Sequence, residues 1–359
     1  MDADEIFMQR CIELALLGAG HVAPNPMVGS VLVHEGLVVG EGFHKNYGEA
    51  HAEVNCVEDA RRRFARKAVA NETFESFARR CTIYVSLEPC AHFGKTPPCA
   101  DLIIRMNFKK VVVGCRDPFP LVDGKGIEKI RQAGIEVVTG VLEAECRELN
   151  CRFFTFHQQK RPYIILKWAA SADGFIAASP GKRSFISNEL SNRLVHRWRA
   201  EESAILIGRK TAILDNPSLT TRLWPGKNPV RLVIDLHSTL SGDLQLFKDG
   251  QPVVVFTYAE SGAESSLQYV QLNDENPVVQ QIAEAAHERG LQSLIIEGGA
   301  FTLQQFIDVG LWDEARVIRG NHVFLEGGTA APVLSNAASA QEEQLSSDTI
   351  SYFRNKSVL

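Results

Sequence analysis

The chain has 359 residues, of which 45% are hydrophobic and 23% charged, and its formal net charge is -5. At this length a globular composition predicts two domains, and the acidic balance argues against nonspecific binding to nucleic acid. We expect no membrane span, because no stretch approaches the roughly 20 apolar residues that cross a bilayer. Eight cysteines and polar N-terminal residues favour a reducing compartment, the cytoplasm.

The first half of the chain alternates apolar runs with amphipathic stretches. An amphipathic helix over 5–17 opens it, and a hairpin follows in which strands 28–33 and 37–43 flank His34-Glu35-Gly36. The other predicted elements are helix 53–64, strand 81–87, strand 109–114, helix 126–132, strand 135–139 and helix 143–150. Residues 153–161 turn polar before Pro162, so the sequence predicts domains at 1–152 and 160–359.

The second half repeats strand and helix. The predicted strands are 163–167, 204–208, 230–235, 252–257 and 294–297, and the predicted helices are 189–200, 277–289 and 301–309. This alternation predicts a largely parallel sheet flanked by helices. Glu297-Gly298-Gly299-Ala300 lies between a strand and a helix, where it is either a pyrophosphate site or a simple turn. It is not G-x-G-x-x-G, so a Rossmann domain is not supported.

A group of candidate metal ligands stands in the first half. His51-Ala52-Glu53 is followed by Glu88-Pro89-Cys90 and then by Cys99. One imidazole and two thiolates are zinc ligands that leave the fourth tetrahedral position for water, whose pKa the metal lowers to about 7. Glu53 is placed to accept a proton there and to hand it to departing ammonia. The pattern predicts hydrolytic removal of an amino group from a heterocycle.

Two simpler interpretations compete with this one. Free cysteines are ordinarily small core residues, and we expect this of the other six cysteines. A zinc-stabilised binding module would need the metal for folding but not Glu53. The ligand spacing also departs from the usual nucleobase deaminase signature, because eight residues separate Cys90 from Cys99. This insertion, with His92 and Lys95 beside the metal, predicts a substrate-binding loop.

These motifs resemble one known family, the bifunctional riboflavin-biosynthesis deaminase-reductases, over nearly the whole chain. The deaminase-side motifs are 24–29 (PNPMVG), 40–44 (GEGFH), 51–54 (HAEV) and 87–99 (LEPCAHFGKTPPC). The reductase-side motifs are 167–174 (KWAASADG), 199–200 (RA), 207–208 (IG) with Thr211, 215–222 (DNPSLTTR) and 297–299 (EGG). The long spacing between the two cysteines is the spacing that this family uses.

The resemblance implies a fold and a function. The N-terminal domain would be a cytidine-deaminase-like three-layer α/β/α domain, and the C-terminal domain would be an α/β domain similar to dihydrofolate reductase. The first would deaminate 2,5-diamino-6-(5-phosphoribosylamino)pyrimidin-4(3H)-one with one Zn²⁺ per chain. The second would reduce the ribosyl group to ribityl with NADPH. Implied partners are the phosphorylated pyrimidine and further copies of the chain, as a dimer or tetramer.

The resemblance also implies roles for individual residues. The zinc ligands would be His51, Cys90 and Cys99, with Glu53 as the proton shuttle. The deaminase pocket would be lined by Asn25, His44, His92 and Lys95. The nucleotide side of the reductase would comprise Ala169, Phe185, Thr211, Asp215, Gly298 and Gly299. Its substrate side would comprise Lys167, Arg183, Ser187, Arg199, Leu219, Arg222 and Glu297.

Several alternatives remain open at this point. Asn25 lies between two prolines and is also a typical turn residue, and Arg199 beside two glutamates is also a typical solvated helix charge. Arg209 and Lys210 would favour a 2′-phosphate or simply face solvent. Residues 321–328 depart from the family pattern, which puts the cofactor-pocket wall in question. The remaining functional alternative is a monofunctional deaminase with a non-catalytic C-terminal binding domain.

Overall fold

The computed structural model describes residues 1–66, 72–94, 97–178, 184–259 and 267–357. Contacts between residues divide the chain into two compact units, Met1–Gln159 and Lys160–Leu359. Among the helices in those ranges, none is long and apolar enough to cross a membrane.

The first unit contains a five-stranded sheet in the order β2-β1-β3-β4-β5. Its elements are α1 Ala3–Leu16, β1 Gly29–His34, β2 Leu37–Phe43, α2 Ala52–Arg66, α3 Phe74–Ala78, β3 Thr82–Leu87, α4 Cys99–Met106, β4 Lys110–Cys115, α5 Lys125–Gln132, β5 Glu136–Thr139, α6 Glu143–Leu149 and α7 Cys151–Gln159. Strand β1 pairs antiparallel with β2 and β3, whereas β3, β4 and β5 are parallel. The predicted hairpin, strands and long helices are therefore confirmed, and α3 and α4 are additional.

Both faces of this sheet are covered by helices. Alternate residues of β3 enter different cores: Ile83 packs in the cluster that contains Ile103 of α4, whereas Tyr84 packs in the cluster that contains Met8 of α1. This alternation follows from the two-residue repeat of a strand. The first unit is thus the expected three-layer α/β/α sandwich.

Helix α2 lies unusually close to β2, and glycines in β2 permit this. A Cβ atom on Gly42 would stand 2.3 Å from the backbone nitrogen of Cys56. Only a residue without a side chain fits such a contact. The helix carries Glu53 in its first turn and Cys56 one turn later, so the glycine in β2 helps to place the candidate proton shuttle.

The sequence places the domain boundary in the polar segment 153–161, and the structure shows that most of this segment is helical. Residues Cys151–Gln159 form α7, in which Phe153 and Phe154 are buried in the core of the first unit. Just before it, the side-chain amide of Asn150 donates to the carbonyl of Met27 at 2.9 Å and accepts from the Met27 N–H at 2.8 Å. The polar residues of the segment occupy the exposed side of a helix whose other side is core.

The second unit contains a nine-stranded sheet in the order β11-β10-β9-β8-β12-β6-β13-β16-β15. Its elements are β6 Tyr163–Ser171, β7 Phe175–Ala177, α8 Glu189–Glu201, β8 Ala204–Gly208, α9 Arg209–Asp215, β9 Val230–Ile234, α10 Gln245–Lys248, β10 Val253–Thr257, β11 Leu267–Gln271, α11 Val278–Glu288, β12 Ser293–Ile296, α12 Ala300–Asp308, β13 Glu314–Gly320, β14 Thr329–Ala330, β15 Ala337–Leu345 and β16 Asp348–Asn355. Every pair from β11 to β13 is parallel, which confirms the predicted parallel sheet.

The antiparallel edge of this sheet was not predicted. Strand β16 pairs antiparallel with β13 and with β15. Strand β15, with the sequence AASAQEEQL, is mostly exposed and has no alternation of apolar and polar residues. Backbone pairing to β16, rather than burial of its own side chains, holds it in the sheet, and sequence patterns do not reveal such pairing.

Residues 321–328, which depart from the family pattern, form a loop after β13 rather than the end of a strand. The carboxylate of Asp173 accepts hydrogen bonds from the backbone nitrogens of Leu325 at 3.2 Å and Glu326 at 2.9 Å. The nitrogen of Ala172 also donates to the carbonyl of Val323 at 2.8 Å. The motif 167–174 therefore anchors the divergent loop to the central strand β6.

Candidate active sites

Three metal-ligating side chains meet in the first unit. His51 directly precedes α2, Cys90 follows β3, and Cys99 is the first residue of α4. Nδ1 of His51 lies 3.6 Å from Sγ of Cys90 and 3.4 Å from Sγ of Cys99. A tetrahedral zinc ion with bonds of about 2.0 Å to nitrogen and 2.3 Å to sulfur separates such donors by about 3.5 Å. The chemistry and spacing of this donor set fit zinc.

The loop between the two cysteines is closed by its own backbone. The nitrogen of Cys99 donates to Sγ of Cys90 at 3.3 Å, and the nitrogen of Ala100 donates to the carbonyl of Cys90 at 3.1 Å. These two hydrogen bonds hold the Cys99 sulfur near the Cys90 sulfur, although eight residues separate the two cysteines. His92 lies in this loop within the described residues, whereas Lys95 lies outside them.

Glu88 belongs to the motif at 87–99, from which no role for it is predicted. The structure shows what it does. Its carboxylate, 4% exposed, accepts hydrogen bonds from the backbone nitrogens of Gly124 and Gly126, both at 2.9 Å, and of Ile127 at 3.2 Å and Asp117 at 3.3 Å. A buried carboxylate satisfied by four N–H groups joins the strand end before Cys90 to the start of α5. Sequence offers only a weak signal for this, namely an acid placed at the end of an apolar strand.

The pKa values of Glu53, His51 and Cys90 depend on the contacts between these residues. Burial, and then the nearby Cys90 sulfur, raises the pKa of Glu53 above its ordinary value. The hydrogen bond with Cys90 raises the pKa of His51. A hydrogen bond from Cys99, followed by one from His51, lowers the pKa of Cys90. A buried glutamate with a raised pKa beside a metal-ligand cluster has the property that a proton shuttle needs.

A chain of polar contacts leads from Asn25 to the metal-ligand cluster. Nδ2 of Asn25 lies 3.1 Å from Nε2 of His44, whose Nδ1 lies 3.1 Å from the carbonyl of Ala50. The rings of His44 and His51 are 5.3 Å apart between centroids. Burial lowers the pKa of His44. Asn25 is therefore joined to the metal cluster through His44, and the interpretation of Asn25 as a turn residue alone does not describe these contacts.

Aromatic residues missed by the sequence reading pack beside His92. The ring of Phe119 lies 5.9 Å from His92 and 5.1 Å from His157 of α7, measured between centroids. Phe153 continues this row at 4.4 Å from His157. Helix α7 thus packs against Phe119, which in turn packs against His92. No sequence signal marks Phe119, because contact between a loop and a distant helix leaves no periodic pattern.

In the second unit, charged residues from three elements meet. The guanidinium of Arg199 donates to both oxygens of Glu297, at 2.8 Å and 2.7 Å, and Nζ of Lys167 lies 3.5 Å from one of them. The side chains of Lys167, Arg199 and Glu297 are 14%, 13% and 6% exposed. Burial would raise the pKa of Glu297, but Arg199 and Lys167 outweigh it and hold the value at about 2. Arg199 is not a solvated helix charge.

Register explains why these residues meet. In the parallel pair β6–β12, Leu166 stands opposite Ile296, so Lys167, which lies within β6, is beside Glu297, the first residue after β12. The backbone nitrogen of Glu297 also donates to the carbonyl of Leu206 in β8 at 3.0 Å. Side chains that leave the carboxyl ends of neighbouring parallel strands share one edge of the sheet, where ligands of open α/β sheets bind.

A close backbone contact occupies the same edge. A Cβ atom on Gly298 would stand 2.7 Å from the backbone nitrogen of Gly208, and the nitrogen of Gly299 donates to Oγ1 of Thr211 at 2.9 Å. Thr211 belongs to α9 and Asp215 ends it, whereas Ala169 lies in β6 near the Lys167 position. The predicted nucleotide-side residues Thr211, Gly298 and Gly299 are therefore in contact. Phe185 has an exposed side chain before α8.

The other substrate-side residues occupy the surrounding loops. Arg222 donates to the hydroxyl of Ser218 at 3.0 Å, and the hydroxyl of Ser187 lies 3.2 Å from Oδ1 of Asn192. Leu219 is 2% exposed and has a φ of 56°, so its side chain packs inward. Arg183 lies outside the described residues.

Arg209 stands at the start of α9, beside the nucleotide-side residues. Its side chain is 45% exposed, and its Nε lies 3.7 Å from a carboxylate oxygen of Asp235. Nε also donates to the hydroxyl of Thr239. Arg209 is therefore partly exposed and paired, rather than simply solvent-facing.

Fold and sites together define a class of protein, a deaminase domain and a reductase domain joined in one chain. Residues 1–115 match the family model of the cytidine and deoxycytidylate deaminase zinc-binding region, and residues 162–350 match that of the RibD C-terminal domain. The chain belongs to the RibD family of riboflavin biosynthesis proteins. Both catalytic halves of this bifunctional family are present, so the alternative of a monofunctional deaminase is not supported.

Individual relatives resemble the chain over nearly its whole length. The riboflavin biosynthesis protein RibD of Aquifex aeolicus is 40% identical, with 91% of this chain and 89% of the relative covered. RibD of Bacillus amyloliquefaciens is 38% identical, with coverage of 92% and 87%. The solved diaminohydroxyphosphoribosylaminopyrimidine deaminase/5-amino-6-(5-phosphoribosylamino)uracil reductase of Thermotoga maritima is 37% identical, with a TM-score of 0.86 and coverage of 98% and 99%. RibD of Acinetobacter baumannii gives a TM-score of 0.85 at 29% identity, with 98% of each chain covered.

Proposed function

We propose that the first unit is a zinc-dependent hydrolytic deaminase in which His51, Cys90 and Cys99 hold one zinc ion per chain. The donor cluster carries this proposal, because its three ligand atoms lie within 4.8 Å of one another and leave the fourth tetrahedral position to water. Zinc in such a site lowers the pKa of water to about 7 and so supplies a nucleophile at neutral pH.

Glu53 is the proposed proton shuttle. It is 3% exposed, it stands in the first turn of α2 directly after His51, and burial favours its neutral form. A carboxyl group in this position takes a proton from the attacking water and delivers it to the leaving amine. Burial thus opposes a permanent charge on Glu53 and raises its pKa, which favours proton uptake.

The proposed substrate is 2,5-diamino-6-(5-phosphoribosylamino)pyrimidin-4(3H)-one. The name of the Thermotoga maritima relative supports a phosphorylated diaminopyrimidine of this kind. Asn25, held by His44, presents an amide to the edge of the pyrimidine, and His92 is proposed to contact the substrate from the loop between the two cysteines. Lys95 is proposed to meet the substrate phosphate as a point charge.

We further propose that the second unit reduces the ribosyl group of the deaminated product to ribityl with NADPH. Hydride transfer needs no protein nucleophile, so the chain contributes binding and orientation. Lys167, Arg199 and Arg222, with Glu297 as counter-charge, keep a positive balance that suits a phosphate monoester. Arg183, Ser187 and Leu219 are proposed to complete the substrate side.

The cofactor is proposed to bind where β8 and β12 end. The nucleotide-side residues are Ala169, Phe185, Thr211, Asp215, Gly298 and Gly299. Gly298 and Gly208 are both buried and pack closely where these strands end, and the strand-to-helix turn that follows at Gly299 is the proposed pyrophosphate site. Arg209 adds a partly exposed cation near this edge, which favours NADPH over NADH.

One assay tests both activities. The diaminopyrimidinone phosphate is supplied with NADPH, and ammonia release and NADPH oxidation are followed together. We expect both, with oxidation dependent on deamination. Ammonia without oxidation would leave the first unit's activity standing and refute the second, whereas oxidation of added deaminated intermediate without prior ammonia release would do the reverse.

The compartment and the partners are also proposed. No disulfide joins the eight cysteines, all of which lie among the described residues, and this supports the cytoplasm as the compartment. The proposed partners are the small phosphorylated substrate and other copies of the chain in a homo-oligomer, and nucleic acid is not among them.

A further inference from the structure

One buried histidine in the second unit has no role in the function proposed above. His196 lies on α8 three residues before Arg199 and is 5% exposed. Residues three apart share a face of a helix, so His196 and Arg199 are neighbours on the same side of α8. The other buried residues near it on the helix, Val195 and Trp198, are apolar core residues.

The charges around His196 are those of the candidate reductase site. Burial lowers its pKa to about 4, and the next causes are the cations Arg199 and Arg222, with Lys167 acting in the same direction. Glu297 opposes them. These groups come from α8, from the loop after α9, from β6 and from the end of β12. His196 is therefore a neutral imidazole near neutral pH, with one nitrogen that donates and one that accepts.

The ring of His196 also has an unused hydrogen-bonding atom. Among the described residues, its buried Nδ1 has no hydrogen-bond partner. Buried polar atoms in folded proteins nearly always have one, so an exception needs an explanation, and a functional role is one of those available. A purely structural histidine would be expected to satisfy this atom from the core, whereas a ligand-binding histidine would satisfy it only in the complex.

We propose that His196 is a further substrate-binding residue of the reductase site, and that its Nδ1–H donates a hydrogen bond to a phosphate oxygen of the substrate. An anionic oxygen fits because Arg199, on the same face of α8, belongs to a cluster in which two cations face one carboxylate, so an excess of positive charge is left for an anion to balance. The inference rests on the proposed reductase function, and it adds a neutral donor to the arginines already assigned to the phosphate.

The test uses the full chain and two substitutions. His196→Phe keeps a ring of similar size but removes the donor, whereas His196→Asn retains an amide donor near the position of Nδ1. NADPH oxidation is measured with 5-amino-6-(5-phosphoribosylamino)uracil and with its dephosphorylated form. For His196→Phe we expect the KM of the phosphorylated substrate to rise about ten- to hundredfold, as for loss of a hydrogen bond to a charged group. His196→Asn should recover most of this loss.

Controls separate binding from folding. Val195→Ala removes core volume at the adjacent position, and it should lower stability while leaving the KM unchanged. Ammonia release by the first unit of each variant, and the KM for NADPH, should stay at the wild-type level. We expect the KM for the dephosphorylated substrate to be high already in the wild type and to change little in His196→Phe.

Each other result overturns the proposal. A wild-type chain that oxidises no NADPH with this substrate would refute the proposed reductase and the role of His196 together. With an active wild type, an unchanged KM in His196→Phe would refute His196 alone. An equal rise for both substrates would refute the phosphate contact, and a fall in stability that matches Val195→Ala without a change in KM would assign His196 to the core.

Discussion

The two candidate active sites each contain a buried carboxylate next to functional residues, but the carboxylates are held in different ways. Glu88 in the first unit accepts four backbone N–H groups, all from residues 117–127. Glu297 in the second unit is held by two cations, Lys167 and Arg199, which stand 130 and 98 positions away in the chain. One carboxylate is stabilised by neutral dipoles and the other by opposite charges.

This difference has consequences for function. The four backbone N–H groups that bind Glu88 hold the chain segment that carries Cys90 in position. They are neutral, so they add no net charge beside the metal cluster. Countercharges leave the reductase edge with a cationic excess, which suits a phosphorylated ligand. Loss of the Glu88 carboxylate should therefore displace the metal ligands of the first site, whereas loss of the Glu297 carboxylate should disturb the charge balance of the second. Substitutions at Glu53, Glu297 and Glu88 test this comparison.

The largest effect is expected for Glu53→Gln. Gln cannot take up a proton, so ammonia release should fall by about 10²- to 10⁴-fold, the usual contribution of general acid–base catalysis. NADPH oxidation with added deaminated intermediate should be unchanged, because the second unit has its own site. The matched control is Glu58→Gln on the exposed side of α2, which should release ammonia normally. Undiminished release by Glu53→Gln would refute the shuttle and favour a metal-stabilised binding module.

Glu297→Gln should have the next largest effect. Lys167 and Arg199 would remain buried without their counter-charge, which typically costs about 3–5 kcal/mol. We expect the urea unfolding midpoint of the second unit to fall and NADPH oxidation to be lost, while ammonia release persists. Glu288→Gln, at the exposed end of α11, is the control. Normal stability with Glu297→Gln would show that the ion pairs add nothing to the fold.

The stability of the second unit should depend on pH because of Glu297 and the cations that bind it. The pKa of Glu297 is about 2 in the folded chain against an ordinary value of 4.5. Its lowered pKa contributes stability above pH 4.5 that is lost as the pH falls towards 2, by about 3 kcal/mol in total. The free energy of unfolding of the second unit, measured with urea between pH 5 and 2, should therefore depend less on pH in Glu297→Gln than in the wild type. Equal slopes would contradict the assigned pKa.

The smallest effect is expected for Glu88→Gln. An amide keeps one acceptor oxygen but turns an NH₂ group towards backbone N–H donors, which costs about 1–3 kcal/mol. Because Glu88 supports the strand end before Cys90, zinc affinity measured by competition with a chelator should fall about 10- to 100-fold. Glu128→Gln on the exposed face of α5 should bind zinc as the wild type does. If both variants bind zinc equally well, Glu88 serves only the fold.

Much of the first unit could be read from the sequence because its signals are local. The repeat of two residues in its strands, the Gly-containing hairpin and the amphipathic helices were predicted to within a few residues. The candidate zinc ligands follow from residue type and spacing in two short motifs. What escaped prediction depends on distant packing: α7 resembles a polar linker until its phenylalanines meet the core, and Phe119 meets His92 only through the fold.

In the second unit, more of the structure depends on contacts between distant parts of the chain. Five of its parallel strands, β6, β8, β9, β10 and β12, are apolar runs and were predicted. Strand β11 was not predicted, and neither were β13, β15 and β16, whose antiparallel backbone pairing no periodic pattern records. The residues Lys167, Arg199 and Glu297 were assigned from the family resemblance, and their mutual pairing depends on the register of β6 with β12.

The sequence by itself determined the two α/β units, the metal-ligand set and the chemistry that such a set performs, because these depend on residue types close together in the chain. Only the tertiary structure decided which groups satisfy Glu88, which charges hold Glu297, and that His196 stands among those charges with an unused nitrogen. Such facts depend on which distant residues share a buried space, where an unpaired charge or polar atom is costly, and spacing along the chain does not contain that information.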